Sequence, residues 1–117
     1  QLPPTRRLGT LGGELLVCHG VGENDDICLF PDTRGFDLQA VMPDLRPLMA
    51  DETLGFVVGG HTHMRMVRRF EGLTFLNAGT LHHTGPPGFV CLDFEARVMR
   101  AWDIEGERAV EVEALPL

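Results

Sequence analysis

The hydrophobic residues of this chain fall into short runs that end at glycine-rich, polar turns. Two of these runs, Glu14–Cys18 and Leu54–Val58, have the length and apolar content of buried strands. Residues 1–13 are rich in proline, arginine and glycine and show no periodicity, so they are predicted to form a loop. The first half of the chain therefore combines an initial loop with two buried strands.

A helical pattern lies between the two predicted strands. Apolar side chains recur at helical spacing over residues 37–50, and Asp37 is a candidate N-cap. Pro43 and Pro47 interrupt this pattern, because proline lacks the amide proton that a helix interior uses. The sequence therefore predicts a short or broken helix in this region.

The second half of the chain alternates between extended segments and turns. Glu71-Gly72 is a two-residue hairpin signal, and Glu95-Ala-Arg97 marks a second turn. The predicted strands around these turns are Arg65–Phe70, Leu73–Asn77, Phe89–Phe94, Val98–Ile104 and Glu107–Leu115. The first half of the chain is thus read as strand, loop, helix and strand, and the second half as an antiparallel meander. This order of elements predicts an α/β (α+β) fold of two packed sheets with helices outside.

The charge and composition narrow the classes of partner. The 117 residues make one domain or part of one, and 44% of them are hydrophobic, as in globular proteins. Acidic residues outnumber basic ones by 17 to 10, and the net charge of −7 disfavours binding to a nucleic-acid backbone or an anionic membrane surface. A phosphorylated substrate is compatible with this charge, because bound cations reverse the local field.

Neither a membrane span nor secretion is predicted. No apolar run approaches the roughly 20 residues of a transmembrane helix, and the first residues lack the charged and apolar regions of a signal peptide. The three cysteines, Cys18, Cys28 and Cys91, form no Cys-x-x-Cys pair, and their odd number suits a reducing environment. The expected location is therefore cytoplasmic.

Histidines at the ends of both buried strands are the main signal for chemistry. His61 and His63 follow Leu54–Val58 and two glycines, and in extended backbone their imidazoles would project to the same side. His19 follows the other strand and also precedes a glycine. Parallel strands would bring these ends to one edge of a sheet, where neutral imidazoles are good ligands for transition metals. A metal site at this edge is the prediction; the alternative is a solvent-facing pair of His61 and His63 with no role, beside a structural or surface His19.

Other polar side chains near these motifs are weaker candidates. Glu23, Asp25 and Asp26 could ligate a metal, but a solvated acidic turn is the preferred interpretation. His82 and His83 are interpreted as an exposed loop pair, with a position at the mouth of the site as the alternative.

Cys18 and Trp102 are interpreted as packing residues. Adjacent residues of a strand face opposite ways, so Cys18 is expected to point into the core and not to act as a nucleophile beside His19. Trp102 lies on a later predicted strand and is expected in the core or on a sheet face.

The order of these motifs resembles the last two signature motifs of the calcineurin-like metallophosphoesterases. Leu15-Leu-Val-Cys-His19-Gly20 comes first and is followed by Val57-Val-Gly-Gly60-His61-Thr62-His63. Asn77-Ala-Gly79-Thr80 is similar to the Asn-x-Gly-Ser/Thr turn of many bacterial members, and Gln1-Leu-Pro-Pro4 resembles the loop before the His-Gly strand. The resemblance covers nearly the whole chain.

The resemblance implies that residues 1–117 are the C-terminal half of a single metallophosphoesterase domain, with the N-terminal part absent. The implied fold is a four-layer sandwich of two mixed β-sheets flanked by helices. Residues matching His19 and His61 would bind one divalent metal, and the residue matching His63 a second, with manganese, iron or zinc as candidates. A metal-bridging hydroxide would attack phosphorus in line while both cations neutralise the developing charge. The implied substrates are small phosphoesters or phosphoproteins, and no substrate-binding residue is identified.

The chain also departs from the family, because the earlier motifs Asp-x-His, Gly-Asp-x-x-Asp and Gly-Asn-His-Asp/Glu are missing. They supply the bridging aspartate, further ligands and the histidine thought to protonate the leaving group, so no catalytic residue is assigned here. Phosphoester hydrolysis is expected of the full-length protein, and the chain alone is expected to be inactive. One alternative is a catalytically inactive binding or scaffold module, as for some family members. Another is a structural zinc held by His19, His61 and His63, with Cys18 as an optional fourth ligand.

The missing half also carries an expectation about partners. A sheet that loses its cover exposes a strand edge, and exposed edges pair with other chains. The chain is therefore expected to bind its N-terminal half, to pair with a second copy, or to aggregate.

Overall fold

The computed structural model describes residues 3–82 and 85–117, which form one helix and eight strands in two sheets. The larger sheet has the strand order β1-β2-β3-β5-β4, and the smaller has the order β6-β7-β8. The elements are β1 Thr5–Thr10, β2 Gly13–Cys18, α1 Gly35–Ala50, β3 Leu54–Gly59, β4 Met66–Phe70, β5 Leu73–Asn77, β6 Gly88–Asp93, β7 Val98–Glu105 and β8 Arg108–Pro116. The predicted α/β class with two sheets is confirmed.

Parallel pairing at the centre of the larger sheet sets the place of the site. Strands β2, β3 and β5 are parallel neighbours, whereas β1 and β4 pair antiparallel at the two edges. Gly59, the last residue of β3, pairs with Asn77, the last residue of β5. The carboxyl ends of the three central strands therefore meet at one edge of the sheet. The larger sheet is mixed, as the resemblance implied, but the smaller sheet is antiparallel throughout.

Alternation along the central strands builds two separate cores. On one face, Leu16, Val57 and Phe75 pack with Val41 and Leu45 of α1. On the other face, Leu15, Phe56 and Leu76 pack with Met99 of the smaller sheet. Full burial of each such side chain contributes about 1.5–3 kcal/mol. The described residues thus form three layers, in the order helix, five-stranded sheet and three-stranded sheet.

Helix α1 is longer than its sequence predicts. It runs without a break from Gly35 to Ala50 through Pro43 and Pro47, so the prediction of a short or broken helix is wrong. Asp37 lies in the first turn and not at the N-cap, which is Arg34 without a side-chain hydrogen bond. Tertiary packing outweighs the local cost, because the helix buries one apolar stripe against the sheet while both prolines are exposed.

Strand β1 contradicts the prediction of a loop over residues 1–13. It pairs antiparallel with β2, and Arg7 donates to Glu14 at 2.8 Å and to Asp51 at 2.7 Å. Asp51 also accepts from the hydroxyl of Thr53 at 2.6 Å and from its amide at 3.0 Å. These hydrogen bonds, first those from Thr53 and then that from Arg7, lower the pKa of the Asp51 carboxyl to about 2. Ion pairing and backbone pairing therefore form β1 where hydrophobic alternation is absent.

The hairpins of the second half are confirmed. β4 and β5 pair across Glu71-Gly72, with Glu71 at a φ of 57°, and β6, β7 and β8 form the predicted meander. Trp102 lies on β7 and stacks on Phe89 of β6, with ring centroids 6.1 Å apart, so it is a sheet-face aromatic residue.

Within residues 3–82 and 85–117, no helix has both the length and the hydropathy needed to cross a bilayer.

Candidate metal centre

His19 and His61 are brought together at the carboxyl ends of β2 and β3. Their ring centroids are 4.8 Å apart, the rings meet edge to face, and both side chains are exposed. The amide of Gly60 donates to the carbonyl of His19 at 2.8 Å, which fixes one loop against the other. The expectation that parallel strand ends would bring these two histidines together is confirmed. Their role as metal ligands stays a prediction.

Glycines allow the two strand ends to approach this closely. A Cβ atom on Gly59 would lie 2.8 Å from the carbonyl oxygen of Gly20 and 2.9 Å from the ring of Phe75. A Cβ atom on Gly20 would lie 2.8 Å from the carbonyl oxygen of Ile27. Both separations are too short for a real side chain, so glycine is required where the loop after β2 crosses the end of β3.

The backbone at His61 and His63 differs from the extended conformation that the sequence suggests. Strand β3 ends at Gly59, and the two histidines have φ values of 67° and 61°. This left-handed conformation costs an L-residue about 1–2 kcal/mol. Such strain persists only where surrounding contacts impose it, and it is concentrated at functional sites.

Asn77 supplies some of those contacts from the end of β5. Its side-chain amide donates to the carbonyl of Gly60 at 2.9 Å and to the hydroxyl of Thr62 at 3.0 Å, and its carbonyl oxygen accepts from the amide of Gly79 at 2.9 Å. The side chain is 1% exposed. Sequence reasoning noted the Asn-Ala-Gly-Thr turn without assigning this role. The available signal was one amide residue at the end of a predicted buried strand.

His63 lies apart from the pair formed by His19 and His61. Its ring is 6.1 Å from that of His82, which is exposed as predicted and lies near the motif, as in the alternative interpretation of a position at the mouth of the site. Across residues 3–82 and 85–117, no three His, Cys, Asp or Glu side chains lie close enough to hold one metal ion. Of the three predicted ligands, His19 and His61 therefore form one pair, whereas His63 pairs with His82. His83 lies outside the described residues.

The other candidate metal ligands lie away from the histidine pairs. Glu23, Asp25 and Asp26 line a cavity of about 810 Å³ beside β1 and α1, whose described lining contains no histidine. Cys18 is buried in the core beneath α1, as predicted, and burial raises the pKa of its thiol. A zinc site that combines Cys18 with His19 does not fit this arrangement, because Cys18 is buried in the core whereas His19, just beyond the end of β2, is exposed.

A second cavity adjoins His63. It has a volume of about 490 Å³ and is lined by residues of the His-Thr-His loop, the turn after β5 and strand β7: Thr62, His63, Met64, Arg65, Gly79, Gly85, Pro86 and Asp103. This volume is within the range of small-molecule sites. The edge of the sheet therefore carries two imidazole pairs and an adjacent space for a small ligand.

The donor set fits part of a transition-metal site. Imidazole nitrogens suit zinc, iron and manganese, and the exposed pair of His19 and His61 offers two of them at one place. A structural zinc takes four protein ligands and a catalytic zinc takes three. Each described pair therefore supplies an incomplete set of ligands.

Comparison with known proteins shows the fold. No protein-family model and no curated protein matches the chain. A crystal structure of a single-residue mutant of Vps29 from Entamoeba histolytica aligns with a TM-score of 0.62 and 17% identity, over 99% of this chain and 62% of that one. The chain has a metallophosphoesterase-like fold. It spans about three-fifths of the length of this neighbour.

Two further solved structures share this fold. Wild-type Vps29 from the same organism, crystallised with Zn²⁺, aligns with a TM-score of 0.58 and 16% identity, over 96% of this chain and 59% of that one. An archaeal phosphodiesterase aligns with a TM-score of 0.55 and 16% identity, over 86% of this chain and 51% of that one. At these identities the likeness concerns the fold alone.

Proposed function

We propose that this chain supplies imidazole ligands to a divalent-metal site in a phosphoester-hydrolysing protein. The observation that carries the proposal is the pair of His19 and His61, with ring centroids 4.8 Å apart at the carboxyl ends of parallel strands. The fold is shared with a protein crystallised with Zn²⁺ and with a phosphodiesterase, which supports metal-dependent hydrolysis as the class of function.

Each histidine has a defined part in this proposal. His19 and His61 hold one divalent ion, and His63 belongs to the position of a second ion, with zinc, manganese or iron as candidates. When bound, such ions polarise a phosphoester and neutralise the charge that develops on its oxygens. The cavity of about 490 Å³ beside His63 is the proposed place for a phosphorylated small molecule or side chain.

We assign hydrolysis itself to a longer polypeptide, or to a complex with a partner, that contains these 117 residues. The described histidine pairs bring no carboxylate that could bridge two metals, and the chain spans about three-fifths of the Vps29 structure. The remaining ligands are proposed to come from further residues of the same polypeptide or from a bound partner.

We propose a cytoplasmic location for this protein, in keeping with its three free cysteines.

A catalytically inactive binding module is the second candidate. It is favoured by one observation, namely that no group of three metal-ligating side chains forms within the described residues. In that case the same fold would present the histidine edge as a binding surface. Metal affinity and hydrolysis distinguish the two candidates.

Calorimetric titration of the 117-residue chain with Zn²⁺ and Mn²⁺ tests the metal site. His61→Ala and His63→Ala are each expected to weaken metal binding about tenfold or more, since each removes a proposed ligand. His82→Ala is expected to have a smaller effect, and Arg100→Ala, at an exposed ion pair with Glu111, serves as the neutral control. Equal losses in all three histidine variants would contradict the assignment of the ligands.

Hydrolysis is tested on the natural polypeptide isolated from its source cells. Its intact mass gives its length, and bis(p-nitrophenyl) phosphate with added Mn²⁺ reports phosphodiesterase activity. We expect a polypeptide of about twice the mass of this chain, active with metal and inactivated by His61→Ala. A natural product of 117 residues, or a longer one that binds metal but does not hydrolyse, would favour the binding module.

A further inference from the structure

Arg65 connects the two sheets directly after the His-Thr-His loop. Its Nη1 donates to the carboxylate of Asp103 on β7 at 3.0 Å, and its Nη2 donates to the carbonyl of Trp102 at 3.3 Å. Its Nε donates to the carbonyl of Ala78, in the turn after β5, at 3.5 Å. Arg65 therefore links its own segment, which follows the loop that carries His63, to the turn after β5 and to strand β7.

The surroundings of Arg65 are shaped to the guanidinium group. The side chains of Arg65 and Asp103 are only 18% and 21% exposed. A Cβ atom on Gly88 would collide with Nη2 of Arg65 and with the carbonyl oxygen of Trp102. Gly79, at a φ of 90°, passes the same side chain with a Cβ position 3.6 Å from its Nε. Glycine is thus present at both places where the backbone runs beside the arginine.

The contacts of Arg65 complement those of Asn77. Asn77 fixes Gly60 and Thr62, on one side of His63, and Arg65 fixes the chain two residues beyond it. His63 has a φ of 61°, a conformation that needs support from its neighbours. Because Asp103 balances the charge of Arg65, this support adds no net positive charge beside a site for cations.

We propose that Arg65 is a positioning residue that, through its ion pair with Asp103, holds the imidazole of His63 in place for a metal ion. This inference rests on the proposed function. It assigns to the smaller sheet a role in the metal site, because β7 supplies both Asp103 and the Trp102 carbonyl. Lysine could not replace Arg65, since an ammonium group lacks the planar fork that reaches several acceptors at once.

Histidine side-chain NMR spectra of the 117-residue chain during titration with Zn²⁺ test this role. In the wild type, the imidazole signals of His19, His61 and His63 are expected to shift as metal binds. In Arg65→Ala, the His63 signal is expected to lose its response while those of His19 and His61 keep theirs. The affinity for the Zn²⁺ ion that His63 binds should fall about tenfold, as is typical when support for a ligand is removed.

Three further variants separate positioning from general stability. Arg65→Lys and Asp103→Asn should reduce the His63 response while preserving the fold, which covers the case that Arg65→Ala does not fold. Arg100→Ala removes an exposed ion pair from the same strand and should leave all three responses unchanged. Thermal unfolding of each variant without metal reports stability independently of the imidazole signals.

The outcomes are distinct. An unchanged His63 response in folded Arg65→Lys and Asp103→Asn would overturn the inference, as would an equal loss at all three histidines. A folded Arg65→Lys variant with normal Zn²⁺ affinity but weakened binding of inorganic phosphate would also overturn it, because Arg65 would then be a ligand-binding residue. If the wild-type histidines do not respond to Zn²⁺, the proposed function fails before the role of Arg65 is tested.

Discussion

His61 and His63 are held in a left-handed backbone conformation, with φ values of 67° and 61°. An L-residue pays for this conformation and glycine does not. The cost is borne at the two positions where the Gly-His-Thr-His motif places its imidazoles. Selection for stability alone would favour glycine there, so the histidines indicate a function of these side chains.

The strain at His61 gives a prediction at the scale of one residue. In the absence of metal, His61→Gly should be more stable to urea than His61→Ala by about 1 kcal/mol, because glycine tolerates the left-handed conformation. His19 is the matched control, since it lies at the other strand end and has no left-handed backbone. There the order should reverse, with His19→Ala the more stable variant. The same order at both positions would show that strain at His61 is not what separates the variants.

The residues that organise the site were harder to predict than those that carry its chemistry. The strand-end position of His19 and His61 follows from two apolar runs that end beside glycine, and this pairing is confirmed. The contacts of Asn77 and Arg65 depend on which segments meet in space. Local sequence patterns contain no record of such long-range contacts, which span 15 residues for Asn77 and Thr62 and 38 for Arg65 and Asp103.

At the scale of elements, hydrophobic pattern predicted the buried strands and hairpins and failed at the edge of the sheet. β2, β3 and β5 have apolar residues on both faces and were recognised from composition. β1 has exposed residues on both faces, because it is an edge strand held by backbone pairing and by Arg7. A strand of this kind has no periodic signal to detect.

Helix α1 gives a prediction about stability. Pro47 lies inside the helix and removes one backbone hydrogen bond, although the packing of Val41 and Leu45 keeps the helix intact. Pro47→Ala should therefore raise the free energy of unfolding by about 1–3 kcal/mol, as measured by urea denaturation. Pro31→Ala, outside the helix, is the control and should give no comparable gain. A neutral or destabilising Pro47→Ala would mean that the ring makes contacts worth more than the missing hydrogen bond.

At the scale of the whole molecule, the two sheets leave four edge strands in the described part of the chain: β1, β4, β6 and β8. Three of these edge strands carry charged residues along their length. These residues are Arg6 and Arg7 on β1, Arg68 and Arg69 on β4, and Arg108, Glu111 and Glu113 on β8. Strand β6 reads Gly-Phe-Val-Cys-Leu-Asp, with its only charge at the last position. Charged side chains protect edges from pairing with other chains, so β6 is the least protected edge of the four.

The expected consequence is self-association of the 117-residue chain through β6. Two copies can pair β6 antiparallel and join their three-stranded sheets into one, which buries the apolar run on both sides of the new pair. Cys91→Lys places a charge at an exposed position in the middle of β6 and should shift the population toward monomer. Sedimentation velocity with a reducing agent measures this shift and excludes a disulfide through Cys91.

Ala114→Lys is the matched control for this prediction, because it adds the same charge at an exposed position on β8, the opposite edge of the same sheet. It should leave association unchanged, since β8 is already protected by charge. Equal effects of the two lysines would mean that association follows net charge and not the edge of β6. A wild-type chain that sediments as a monodisperse monomer would contradict the prediction altogether, and the exposed edge would then be stable in water without a partner.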